Sequence, residues 1–350
     1  MKLALASLAS LASLALLAAG CGGSGETTPK EVVLVTHDSF AVSKPVKAAF
    51  ERETGLQLRI LQGGDAGEAL NRALLTKGDP QGDVFFGVDN NLLSRALDEG
   101  LFEPYKPAGL DTVPAQYVLD PEHRVTPVDH GDVCLNTDTG WFAKHGLPAP
   151  RTLGELTAPS YRGLLVVENP ATSTPGLAFM LATVARYGES GWTGYWRKLR
   201  ANRVLVVDGW EAAYTAEFSG ASGSKGKRPI VVSYATSPAA EVIFASKPLA
   251  HAPTAVVADS CFKQVELAGI LKGARNGKGA RKLIDFMLTE RFQADVPGSM
   301  FVLPVRVGAP LPDAFTKYAV SPAHPLELPP ADIGANRDRW IEEWTRVVLR

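Results

Sequence analysis

From residue 31 onward the chain alternates short β-branched runs with stretches whose apolar positions recur at helical spacing. The pattern predicts strands over residues 32–36, 56–61 and 83–88, and helices over 44–53 and 68–77 that Gly55 and Gly78 stop. Asp89 is placed to cap a third helix, whose Leu92, Leu93, Ala96 and Leu97 share one apolar face before Gly100 ends it. Strand and helix in regular alternation predict an α/β fold with a mainly parallel sheet. After residues 125–135 a second block repeats the logic, with strands over 164–167, 203–207 and 230–234 and helices beginning near Pro175, near Gly191 and after Asp208. Residues 261–267 read as a further strand, and 279–289 as a helix with Leu283, Ile284 and Met287 turned inward. Trp340, Ile341, Trp344, Val347 and Val348 then form one apolar stripe, the docking face of a closing helix.

The first segment does not belong to this pattern. Met1-Lys2 precede an apolar run over residues 3–19, and Ala18-Ala19-Gly20-Cys21 sets small residues directly before a cysteine. Residues 1–20 therefore read as a lipoprotein signal peptide, with Cys21 left to carry lipid and residues 21–30 as a flexible tether. The other readings are an ordinary secretory signal and a membrane span, for which the run falls short of the roughly 20 residues needed. Cys134 and Cys261 are the remaining cysteines. In a protein outside the cytoplasm an even pair invites a bridge, and two buried thiols are the alternative.

Composition narrows the function. The 350 residues carry 36 Lys+Arg against 37 Asp+Glu, a net charge of −1, which lacks the basic surplus of a nucleic-acid binder. With 45% hydrophobic and 21% charged residues the chain is neither disordered nor a multi-span membrane protein, and it is long enough for two cores. GxSxG, GxxxxGK[ST], HExxH and CxxC are all absent, and the six histidines are scattered without ligand spacing.

Three strand ends carry candidate chemistry. Thr172-Ser173-Thr174-Pro175-Gly176 opens a helix and reads either as plain capping or as a hydroxyl-lined cradle for a polar group. Asp208-Gly209-Trp210 with Tyr214 sets an indole where open α/β sheets bind ligands, and Ser233-Tyr234-Ala235-Thr236-Ser237-Pro238 repeats the arrangement. Each alone has a structural reading, but all three would open on one sheet edge.

Together with His37-Asp38-Ser39-Phe40 and Asp89-Asn90-Asn91-Leu92-Leu93, these motifs occur in the order found in the periplasmic thiamine-binding proteins of ATP-driven importers, which the chain resembles from about Val32 to the closing tryptophan helix. The resemblance implies a two-lobed, type II periplasmic-binding-protein-like fold, of the class that includes iron(III) and polyamine receptors. Each lobe would be a mainly parallel sheet flanked by helices, joined by crossings at residues 125–135 and 261–267. Residues 31–130 and 263–350 would form lobe 1, with C-terminal helices packing across both lobes, and 131–262 lobe 2. Cys134 and Cys261 would then meet at the hinge as a disulfide.

By the same resemblance Trp210 and Tyr234 enclose the thiamine rings, and Phe301 stands where relatives often have tryptophan. Ser173 and Asp65 face the hydroxyethyl or phosphate end. His37 stands where relatives have tyrosine, and Asp38 supplies negative potential beside it. The implied function is capture of thiamine or thiamine phosphate for an ABC permease driven by a separate ATPase. It involves no cofactor, metal, nucleic acid or catalytic residue, in a monomer lipid-anchored outside the cytoplasm. The rivals are an iron(III) or anion receptor, which would be expected to carry adjacent tyrosines, and a hydrolase built on Ser173, which would need a nucleophile elbow.

Overall fold

The computed structural model describes residues 30–350, so the expected signal peptide, Cys21 and nearly all of the expected tether lie outside the described residues. In chain order the first elements are β1 (Glu31–Thr36), α1 (Lys44–Thr54), β2 (Gln57–Gln62), α2 (Ala66–Leu75), β3 (Val84–Asp89), α3 (Leu93–Asp98), β4 (Phe102–Glu103) and β5 (Thr126–His130). They are followed by β6 (Val133–Asp138), α4 (Thr139–His145), β7 (Leu165–Glu168), α5 (Thr174–Ala201), β8 (Leu205–Val207), β9 (Ile230–Tyr234), α6 (Ser237–Phe244) and β10 (Thr254–Phe262). The chain ends with β11 (Val265–Leu271), α7 (Gly277–Met287), α8 (Glu290–Ser299), β12 (Leu303–Pro304), α9 (Asp313–Tyr318) and α10 (Pro330–Val348).

Two sheets result. One has the order β12-β5-β11-β3-β1-β2 with β4 also paired to β11, and the other has the order β10-β6-β9-β7-β8. The molecule is thus two-lobed, and the chain passes between the sheets at residues 131–132 and 263–264. Both sheets are mixed, which corrects the expectation of mainly parallel sheets. Only β1–β2, β1–β3, β7–β8 and β7–β9 are parallel pairs. Strands next to the crossings run antiparallel to their neighbours because the chain enters the second sheet from the first and then returns. The crossings themselves, each read as one continuous segment, are broken. Gly131-Asp132 separate β5 from β6, and Lys263-Gln264 separate β10 from β11.

Local chemistry accounts for the element ends. Gly55 takes φ 71° and returns its N–H to Glu51 O, closing α1. Asn276 Oδ1 accepts the Gly279 N–H at 2.9 Å to start α7, whose Leu283, Ile284 and Met287 are buried. Asp89 caps one turn earlier than its spacing suggested: its Oδ1 accepts from the N–H groups of Asn91 and Leu92, ahead of α3. The two helices expected near Pro175 and Gly191 form one run, α5, kinked at Gly188 with φ 65° and ψ 172°. After Asp208 a π-helical turn over Ala212–Glu217 replaces the expected α-helix.

Helix α10 buries Ile333, Trp340, Trp344 and Val348. It packs on α3 beside the first sheet and on α5 beside the second, where the Trp344 and Trp196 rings meet edge to face at 5.4 Å. A Cys134–Cys261 disulfide joins β6 to β10, with Cα atoms 4.1 Å apart, where both strands leave the second sheet.

Candidate functional site

The carboxyl ends of β1 and β2 on one side, and of β7, β8 and β9 on the other, face each other across a cleft whose cavity is about 70 Å³. Trp210, Tyr234 and Phe301 line it together with Asp65, Glu211, Glu266 and His37. Three rings, three carboxylates and one imidazole thus converge, and among the described residues no lysine or arginine lines the cavity.

On the second sheet's side the strand ends reinforce one another. Trp210 donates from Nε1 to Ser233 Oγ at 2.9 Å, and its ring stacks on Tyr214 at 5.0 Å with an interplanar angle of 15°. Its other neighbour is Tyr234, with centroids 6.2 Å apart. Phe301 comes from the opposite side with φ 63°, a left-handed backbone that a bulky residue rarely adopts, and its ring meets Phe244 of α6 edge-on at 4.7 Å. This ring contact spans the mouth of the cleft.

Asp65 is the main tie between the halves. As N-cap of α2 its Oδ1 accepts from Ala66 N–H and, across the cleft, from Thr174 N–H at 3.2 Å. Its Oδ2 accepts from Trp210 N–H at 3.0 Å. One carboxylate therefore occupies the donor cluster at the start of α5 and the turn before Ala212–Glu217. The Glu68 N–H also donates across the cleft to Thr172 O at 3.1 Å. This packing requires glycine at position 67, where a Cβ would lie 2.6 Å from Thr172 O.

His37 follows β1 and lies over β3, where Gly87 at φ 104° leaves room for the ring; a Cβ there would come within 2.4 Å of His37 Cδ2. Its Nε2 stands 3.5 Å from Glu266 Oε1, a charge contact rather than a short hydrogen bond. Behind Glu266 lies Asp129, fully buried, to whose oxygens no other group donates.

The electrostatics of the cleft are acidic. Burial pushes Asp65 up from the ordinary carboxylate range, against the stabilising Trp210 N–H and the charge of His37. Burial, then the neighbouring Asp38, raises Glu211. Burial and then Glu266 hold Asp129 well above its usual range. The Tyr234 hydroxyl is driven up by burial and by the facing carboxylates of Glu266, Asp65, Asp129 and Asp89.

Of the residues expected to bind a ligand, the structure brings His37, Asp65, Trp210, Tyr234 and Phe301 to the cavity wall. Two stand elsewhere. Asp38 is exposed outside the lining, where its Oδ1 accepts from the Ser39 hydroxyl. Ser173 is buried, its Oγ accepting from the Gly176 N–H as the helix cap, and Thr174 lines the cavity in its place. Sequence reasoning missed Glu266 and Glu211. A signal for Glu266 existed, since it is the one charged residue inside the apolar run of β11. Among the described residues no group of three or more His, Cys, Asp or Glu is arranged to hold a metal ion.

Two α/β lobes that close on a ring-lined acidic cleft, with two chain crossings beneath it, define a two-lobed solute receptor. The chain belongs to the bacterial extracellular solute-binding protein family, whose model matches residues 79–332. It is 31% identical to a thiamine-binding periplasmic protein of Escherichia coli K12 over 91% of this chain and 94% of that one. Against the thiamine-binding periplasmic protein of Brucella melitensis the identity is 29%, over 91% and 92%. A solved periplasmic thiamin binding protein superposes with a TM-score of 0.80 at 30% identity, covering 93% of this chain and 98% of its own. An iron-bound protein from Pseudomonas aeruginosa shares the fold at a TM-score of 0.70 and 18% identity, covering 91% and 99%.

Proposed function

We propose that this chain is an extracytoplasmic receptor that captures thiamine, or thiamine phosphate, between its lobes and presents the closed form to an ABC permease powered by a separate ATPase. Residues 31–130 and 263–350 make lobe 1 in this reading, and residues 131–262 lobe 2. The receptor acts as a monomer tethered to the membrane by lipid on Cys21. It breaks no bond; ligand favours the closed form because only that form makes contacts from both lobes.

The observation that carries the ligand is the cavity wall: rings on both sides, three carboxylates, and neither lysine nor arginine. Flat faces suit a pyrimidine, the carboxylates suit a thiazolium cation, and a cation over an indole is worth about 0.5 to 2 kcal/mol. Trp210, Tyr234 and Phe301 supply the faces, Glu266, Glu211 and Asp65 the charge, with Asp38 adding to the field from the rim. The donors at the start of α5 and at Trp210 N–H already serve Asp65. A phosphate would have to displace that carboxylate, so the alcohol end of thiamine suits the closed form better than its ester. Ferric ion is the weaker reading, because among the described residues Tyr234 is the only tyrosine on the wall.

Tryptophan fluorescence titrated with thiamine, thiamine phosphate, hydroxymethylpyrimidine and ferric ion tests this. Thiamine is expected to quench most tightly. Trp210→Ala is expected to weaken thiamine at least tenfold with an unchanged melting temperature. Quenching by ferric ion alone, or undiminished affinity in the variant, would refute the assignment.

A further inference from the structure

Among the described residues His37 is the one cavity-lining side chain able to carry positive charge, and carboxylates from both lobes surround it. Glu266 of β11 faces its Nε2 at 3.5 Å. Asp65 at the start of α2 and Asp38 beside it in the chain act on it by charge, and Glu211 enters from the opposite lobe. Asp129 backs Glu266 from β5; β3 contributes the Phe86 ring, Gly87 and, at its end, Asp89, which lies in register with Glu266 and which burial pushes up to about 6. Burial alone would strip the ring of its proton, yet Glu266, Asp65 and Asp38 outweigh burial and leave the imidazole more basic than its ordinary 6.5.

Resting on the thiamine reading, we infer that His37 is the proton-exchanging residue of the cleft. The incoming thiazolium displaces the proton from His37 Nε2 to solvent and takes over its place as counter-charge to Glu266. One positive charge enters and one leaves, so the net charge of the cleft is the same before and after binding. Two cations in a cleft walled from water would instead repel, and the carboxylates around them are shared. The neutral ring left behind is a flat face that no longer opposes the ligand. His37 is therefore a specificity-determining residue: it couples binding to pH for a cation and not for an uncharged pyrimidine.

Calorimetry on the purified protein decides this. Thiamine is titrated in two buffers of different ionisation enthalpy, which reads protons released per ligand bound. At pH 6.5, below the raised titration of the ring, thiamine is expected to release a proton, and release is expected to fade as pH rises past that titration. Over that window the Kd for thiamine is expected to fall by up to about tenfold per pH unit while the free ring is charged. Hydroxymethylpyrimidine is expected to bind without proton release. In His37→Gln the release should vanish and the Kd for thiamine should become flat with pH.

Thiamine bound by the wild type with no proton released at pH 6.5 would overturn the inference while leaving the thiamine reading intact. So would release that persists in His37→Gln, since the proton would then come from a carboxyl. Absence of any heat with thiamine would overturn the reading itself and this inference with it. The wild-type two-buffer measurement stands alone if the variant fails to fold.

Discussion

Glu168 closes β7 with its carboxyl turned into the interior, and neither oxygen receives a hydrogen bond from another group. Burial raises its pKa well above the usual range, its own backbone N–H offsets part of that, and Asp65 adds to the rise. An acid that binds its proton more tightly when folded makes the protein less stable as pH rises through that range, because the unfolded chain ionises first. Glu168→Gln keeps the shape and removes the titration. The variant is expected to be the more stable at neutral pH, its advantage over the wild type growing with pH by up to about 1.4 kcal/mol per unit until the folded carboxyl ionises. Chemical denaturation at three pH values between 6 and 9 reads this directly; parallel curves for the two proteins would refute it. At this scale the sequence was legible where residue type and position agree. Trp210 and Tyr234 follow β-branched runs, and both reach the cavity. Ser173 also follows such a run, but its hydroxyl serves the helix, because an N-cap bond needs only the chain's own next turn. Nothing local separates those two outcomes.

Among the elements, α2 meets the opposite lobe through its first turn. Its first turn sits under Thr172, and the absence of a side chain at Gly67 is what permits the contact. Alanine is the better helix former by about 1 kcal/mol, so Gly67→Ala is expected to preserve or raise the melting temperature of the ligand-free protein. In the closed form its Cβ would meet the Thr172 carbonyl, and thiamine affinity is expected to fall at least tenfold. A thermal melt paired with a titration separates the two effects; wild-type affinity would mean that closure does not need this contact. Strand and helix identities were read from periodicity nearly throughout, as for 230–234, which matches β9 (Ile230–Tyr234). The breaks at Gly131-Asp132 and Lys263-Gln264 were not, since each interrupts an otherwise strand-like run only because its two halves pair in different sheets. The kink at Gly188 and the π-helical turn over Ala212–Glu217 likewise escaped the reading by spacing.

Across the whole molecule, one helix bridges the two lobes and one disulfide staples the second lobe to itself beside the crossings. Helix α10 rests on α3 and α5, with Arg339 and Trp340 Nε1 both reaching Glu189 at 2.9 and 2.8 Å. The Cys134–Cys261 disulfide closes a loop of sequence separation 127 that contains essentially all of the second sheet. A loop of that size restricts the unfolded chain strongly, and its loss is expected to cost about 2 to 5 kcal/mol. Denaturant melts with and without reductant, and of the Cys134→Ser/Cys261→Ser double variant, measure this; unchanged midpoints would mean the strands are held without the bridge. Among the described residues no helix is long and apolar enough to cross a membrane.

The sequence by itself determined the alternation of strands and helices, the split into two α/β blocks, and the strand ends that bear aromatic and hydroxyl groups. These are local properties, set by side-chain period and by capping within one or two turns. Tertiary structure alone decided the order of strands in each sheet, the antiparallel course of the crossings, and the meeting of His37 with Glu266 and of Asp65 with Trp210. Those pairs lie far apart in the chain, and only the register of β11 against β3 and β5, and the closing of one lobe on the other, brings their charges into one cleft.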